Sequence, residues 1–74
     1  MENMFVLMRN GTLFGVYTSH RKAMQAIIVN SLRNELQMKD YSFELGVEFF
    51  DYINPETGIH FLWEMQEVTP DSRA

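Results

Sequence analysis

Few residues of this chain are of a type and spacing that could do chemistry. His20 and His60 are its two histidines, and it has no cysteine. Neither histidine has a second ligand at metal-binding spacing, so no metal site is expected. Ser19, Ser31, Ser42 and Ser72 all stand outside a G-x-S-x-G elbow. The remaining candidates are Glu48 and Glu64. If Asn54 to Gly58 form a five-residue hairpin loop, these two carboxylates face each other across the strands. A close carboxylate pair can divide acid and base roles when one pKa is raised. On a wet sheet face the repulsion is modest, and nothing beside the pair would bind a substrate. The expectation is a protein without catalysis, metal or cofactor, the alternative being a small enzyme subunit that uses the carboxylate pair.

Aromatic side chains offer a second kind of function. Phe50, Tyr52 and Phe61 could stack nucleic-acid bases on a sheet. They are interleaved with glutamate and aspartate, so the main electrostatic term of nucleic-acid binding would be missing. Residues 1–36 carry Arg9, Arg21, Lys22 and Arg33 against Glu2 and Glu35, a balance of +2. Residues 37–74 carry Lys39 and Arg73 against Asp40, Glu44, Glu48, Asp51, Glu56, Glu64, Glu67 and Asp71, a balance of -6. Such a half repels phosphate backbones and attracts basic protein surfaces. Its acids also serve to keep an aromatic-rich hairpin soluble. Direct nucleic-acid binding is not expected; a protein with a basic surface is.

Periodicity gives the strands and helix that carry these residues. Phe43 to Met65 reads as two strands around Asn54-Pro55-Glu56-Thr57-Gly58. Pairing Ile53 with Ile59, Phe49 with Trp63 and Glu48 with Glu64 puts Val47, Phe49, Ile53, Ile59, Phe61, Trp63 and Met65 in the core, with Leu45 in line on the near arm. Glu48, Phe50, Tyr52, His60, Leu62 and Glu64 then share the outer face as the candidate partner-binding surface. Asn10-Gly11 is a type I′ signal between strands Met4 to Arg9 and Thr12 to Tyr17. It pairs Arg9 with Thr12, Leu7 with Phe14 and Phe5 with Val16, with Phe5, Leu7, Phe14 and Val16 facing inward. The other side of this hairpin is also apolar, with Leu13 beside Met4, Val6, Met8 and Tyr17. The last four are the alternative interface, suited to a homodimer. Gly15 either leaves a gap or lets another group approach closely.

Thr18-Ser19 supplies an N-cap for a helix over residues 19–36. Ala23, Met24, Ile27 and Ile28 form its core stripe, and Val29, Leu32 and Leu36 a second stripe at the rim that could also form a two-fold interface. Residues 37–42 read as a polar link, and residues 69–74 as a flexible tail. The order is then β-β-α-β-β in a single domain over 1–74: first hairpin 4–17, helix 19–36, second hairpin 43–68. The fold class is α+β, a four-stranded antiparallel sheet with one helix packed on one face.

A chain of 74 residues buries only about 60% of its unfolded surface, so ten aromatic and six methionine side chains matter. Absence of cysteine suits a reducing compartment. No stretch reaches the roughly 20 apolar residues of a membrane span, and Met1-Glu2-Asn3-Met4 lacks the basic region of a signal peptide. A cytoplasmic protein that does not engage membranes is expected.

The chain bears two resemblances. Tyr52-Ile53-Asn54-Pro55-Glu56-Thr57-Gly58 followed by Trp63 resembles the second hairpin of a WW domain. Five residues separate Thr57 from Trp63 where that family has four, and its first Trp and closing proline contact are missing, so no proline-peptide groove is expected. The line from a hydrophobic strand through Asn10-Gly11 and Gly15-Val16-Tyr17-Thr18-Ser19 to Ala23 and Ala26-Ile27 is similar to small uncharacterised bacteriophage-type ββα(ββ) accessory proteins, over residues 4–28. That resemblance implies a protein-binding module that inhibits or redirects a host protein, such as a nucleic-acid-handling enzyme of transcription or defence, in the host cytoplasm. A self-associating structural protein is the further alternative.

Overall fold

Positive φ at two successive residues is what a type I′ hairpin turn demands, and Asn10 and Gly11 supply it at 51° and 80°. In the computed structural model, which describes residues 3–69, they join β1 (Met4–Arg9) to β2 (Thr12–Tyr17). Arg9 faces Thr12 as the turn requires, but a bulge at Phe14 then shifts the ladder. Leu7 faces Gly15, Val6 faces Val16 and Phe5 faces Tyr17, not the expected Leu7–Phe14 and Phe5–Val16 pairs. Val16 therefore leaves the core face, and Tyr17 joins it beside Phe5. The Tyr17 ring lies over Gly15, where a Cβ would meet its hydroxyl at 2.7 Å. This is the close approach that the glycine permits.

Ser19 caps helix α1 (His20–Arg33), its hydroxyl accepting from the Lys22 amide at 3.2 Å. The helix stops at Arg33, three residues before the expected Leu36. Glu35 takes a left-handed φ of 54°, and the Leu36 amide reaches back to the Ser31 carbonyl at 2.8 Å. This is a Schellman ending without glycine, closed by Leu36 packing against the core.

The expected polar link over 37–42 is instead part of a strand, and the strand count changes with it. Gln37–Glu44 forms β3, and the sheet has five strands rather than four. Leu45 and Gly46, at φ 52° and 79°, make a second two-residue turn into β4 (Val47–Ile53). Every β3 residue is exposed, so burial imposes no apolar alternation on it. Lys39, Asp40 and a bulge between Met38 and Asp40 discourage further pairing at its free edge. Leu45 lies fully exposed on the turn, not on the core side of a strand.

β5 (His60–Val68) completes the sheet in the order β2-β1-β5-β4-β3, antiparallel throughout. Its register on β4 differs by one residue from expectation. Asn54 donates its amide to the Ile59 carbonyl at 2.9 Å and accepts from the Gly58 amide at 2.7 Å. Ile53 therefore pairs with His60, Phe50 with Trp63 and Glu48 with Met65. Because successive strand side chains alternate faces, that slip turns β4 over relative to β5.

The helix-side core is Leu7, Ala23, Ile27, Phe50, Tyr52, Trp63 and Met65, flanked by Phe5, Tyr17, Met24, Ala26, Leu36 and Phe61. Ile28 and Ile59 are exposed, contrary to expectation, as is Phe14 at 38%. Phe14 still meets Trp63 edge to face, centroids 4.9 Å apart. The Arg9 guanidinium stands over the rings of Phe14, Phe61 and Trp63 at 5.2, 5.2 and 5.8 Å, closing this end of the core with a cation against π faces. Val47, Phe49 and Ile53, expected in the core, lie half-buried on the sheet's other side. The expected tail lies, from residue 70 onward, outside the described residues.

The register of β4 can be tested directly. Phe50→Ala opens a cavity in the core and is expected to cost about 3–5 kcal/mol. Phe49→Ala removes a half-exposed ring and is expected to cost less than half as much. Urea unfolding of the two variants reads the difference; equal or reversed costs would mean that β4 is turned the other way.

Candidate protein-binding surface

The ladder pairings define what stands on the sheet face opposite α1. One row crosses four strand boundaries as Leu13, Met8, Glu64, Phe49 and Ser42. A second reads Val16, Val6, Gln66, Val47 and Glu44. Leu62, Asp51 and Asp40 make a third, and His60, Ile53 and Gln37 a fourth. Met4 and Val68 pair at the margin. No described helix covers these rows, α1 packing on the opposite side. The face grades from apolar at β2 and β1 to acidic at β3.

Its electrostatics are one-sided. Four carboxylates, Asp40, Glu44, Asp51 and Glu64, have ladder positions on this face, and no arginine or lysine does; Lys39 falls in the β3 bulge. Asp40 and Asp51 are directly opposed, a cross-strand arrangement that costs stability. Two hydrogen bonds offset part of it. His60 Nδ1 lies 3.0 Å from Asp51 Oδ1, and Asp40 accepts from the Tyr41 amide at 2.8 Å. A cavity of about 180 Å³ sits here, lined by Asp40, Ser42, Phe49, Asp51 and Leu62 among others. Glu64 stands between Met8 and Phe49, with no ion-pair partner among the described residues.

The expected surface of Glu48, Phe50, Tyr52, His60, Leu62 and Glu64 is split by the register. His60, Leu62 and Glu64 lie on the helix-free face. Glu48, Phe50 and Tyr52 point to the helix side, where Phe50 and Tyr52 are buried at 3% and 7% exposure. Glu48 and Glu64 thus occupy opposite faces and cannot act as a carboxylate pair. The alternative set fares better: Met4, Val6 and Met8 are on the helix-free face, while Tyr17 is not, and Val16 takes its place. Both alternations of β4 are apolar, Val47-Phe49-Ile53 and Phe50-Tyr52, so its residue types did not tell which side faces out. The loop length carried that information.

On the helix side, Glu48 does other work. Its Oε1 lies 2.8 Å from His20 Nε2, and its Oε2 accepts from the Tyr41 hydroxyl at 2.9 Å. The line His20–Glu48–Tyr41 ties the start of α1 to β4 and β3. Beside it is a cavity of about 450 Å³ lined by Asn3, Phe5, His20, Phe43, Glu48 and Glu67 among others. The cluster contains no serine, cysteine or lysine that could act as a nucleophile. Among the described residues no group of three His, Cys, Asp or Glu side chains could hold a metal ion. No described helix is long and apolar enough to cross a membrane.

The hydrogen bond to Glu48, helped by desolvation and by the Glu48 charge, raises the Tyr41 pKa above its ordinary 10.0. The folded state holds this proton more tightly than the unfolded chain. The stabilisation is therefore complete below pH 10 and is lost as pH rises through the raised value. Glu48→Gln is expected to move the Tyr41 phenolate transition to lower pH, as read by ultraviolet titration against a Tyr41→Phe reference; an unmoved transition would show that the bond does not form.

No protein-family model matches this chain, and no curated protein or solved structure matches it either.

Proposed function

We propose that this chain is a non-catalytic protein-binding module whose working surface is the helix-free face of the sheet, and whose partner presents a basic rim around an apolar patch. The observation that carries this reading is the opposition of Asp40 and Asp51 on a face with four carboxylates and no arginine or lysine ladder position. A cationic side chain from a partner relieves that repulsion. Val6, Met8, Val16, Val47, Phe49 and Leu62 beside it supply the apolar area that an interface centre needs. A second copy of the chain suits the acidic end poorly, because a two-fold contact there brings carboxylate against carboxylate. Nucleic acid suits it poorly for the same electrostatic reason. Inhibition or redirection of a host protein, in the manner of phage-type accessory proteins, is the setting suggested by the pattern over residues 4–28.

Affinity capture from bacterial lysate, followed by binding kinetics on the retained protein, tests this. Phe49→Ala is expected to cost about 2 kcal/mol or more in affinity through faster dissociation. Asp40→Lys with Asp51→Lys is expected to slow association and flatten its salt dependence. Folded variants that bind with unchanged rates would remove the face from consideration. Sedimentation is expected to show a monomer, and a dimer dispersed by Val6→Asp would favour self-association instead.

A further inference from the structure

A second surface, on the other side of the molecule, has the opposite charge. β2 is an outer strand whose other edge has no ladder partner, and although it too carries a bulge, at Phe14, it has none of the charged side chains that guard the β3 edge. Beside that edge α1 and β2 enclose a trough of about 570 Å³. Phe14, Tyr17, Ala26 and Val29 line it, together with Lys22 and Arg33. Helix α1 carries Arg21, Lys22 and Arg33 and no carboxylate, half of the six lysines and arginines in the chain. Ile28, Val29 and Leu32 are exposed on it at 47%, 47% and 75%. The trough is broadly open to solvent, whereas a small-molecule site encloses most of its ligand. An open trough beside an unpaired strand edge suits an extended chain.

We propose that the β2 edge and this trough take an extended acidic segment of a partner protein, added as a further strand beside β2. Backbone groups of the segment pair with the free edge, as in strand addition generally. Alternate side chains project over the trough. Apolar ones cover Phe14 and Val29, and a carboxylate at either end meets Lys22 and Arg33. These two cations are eleven positions apart on α1, about 16 Å at the helical rise per residue. Carboxylates six residues apart on a strand are about 20 Å apart, within reach of two long side chains. A second copy is the poorer occupant, since a β2-to-β2 contact sets two acid-free cationic helices side by side.

Fluorescence polarisation with fluorescein-Gly-Ser-Glu-Thr-Val-Thr-Phe-Thr-Glu-amide tests the proposal on the full chain. Saturable binding is expected. It should weaken about tenfold or more in Lys22→Glu with Arg33→Glu, whose altered side chains are exposed, so circular dichroism should be unchanged. It should also be lost when alternate backbone amides of the peptide are N-methylated, a readout specific to strand pairing. Absence of saturable binding overturns the proposal. So does equal binding of the peptide with both Glu replaced by Lys, or insensitivity to N-methylation. Retention on phosphatidylglycerol vesicles, or a dimer dispersed by Val29→Asp, each without peptide binding, assigns the surface to lipid or to a second copy and equally overturns it.

Discussion

The backbone clasp of Asn54 decides which residues of β4 meet the core. Its amide reaches Ile59, its carbonyl takes the Gly58 amide, and its side-chain oxygen accepts from the Glu56 and Thr57 amides. Its side-chain amide also donates to the Asn34 carbonyl at the end of α1. One residue thus sets the hairpin register and anchors the loop to the helix. With Ile53 opposite His60, Phe50 and Tyr52 turn toward α1. A slip of one residue would bury Phe49 and Ile53 and expose the two aromatics.

That register leaves a molecule with one helix for a sheet with two apolar faces. The helix-side core is small: seven buried hydrophobic residues, four of them on β4 and β5. Its ends are held by mixed contacts. Arg9 caps one with its planar cation against three rings, while His20, Glu48 and Tyr41 link the helix start to β4 and β3. Each exposed pair in such a link is worth little alone. Together they tie elements that share few buried residues. Trp63 is fully buried with no acceptor for its indole N–H among the described residues, so its large apolar area outweighs a polar cost of about 1–3 kcal/mol.

Charge is segregated across the same sheet. The helix carries cations without acids, and the opposite face carries acids without an arginine or lysine in the ladder. At physiological ionic strength charges more than about 8 Å apart are largely screened, so each surface presents its own sign to an approaching partner.

Local signals in the sequence determined the local structure. Asn10-Gly11 made a hairpin because few residue pairs tolerate two positive φ values, and Ser19 began a helix because its hydroxyl meets a free amide. The antiparallel α+β class, the single helix and the inward side of β5, with Phe61, Trp63 and Met65, were legible for the same reason. Strand β3 was not, because an edge strand exposed on both faces carries no burial pattern and owes its structure to hydrogen bonds with β4. Nor were the bulge at Phe14 and the extra residue in the Asn54 loop, each a one-residue matter that reverses every side chain beyond it. The composition of the helix-free surface hung on those two slips. Val16, Phe49 and Asp51 are as compatible with one face as with the other, and only the paired backbone decided where they point.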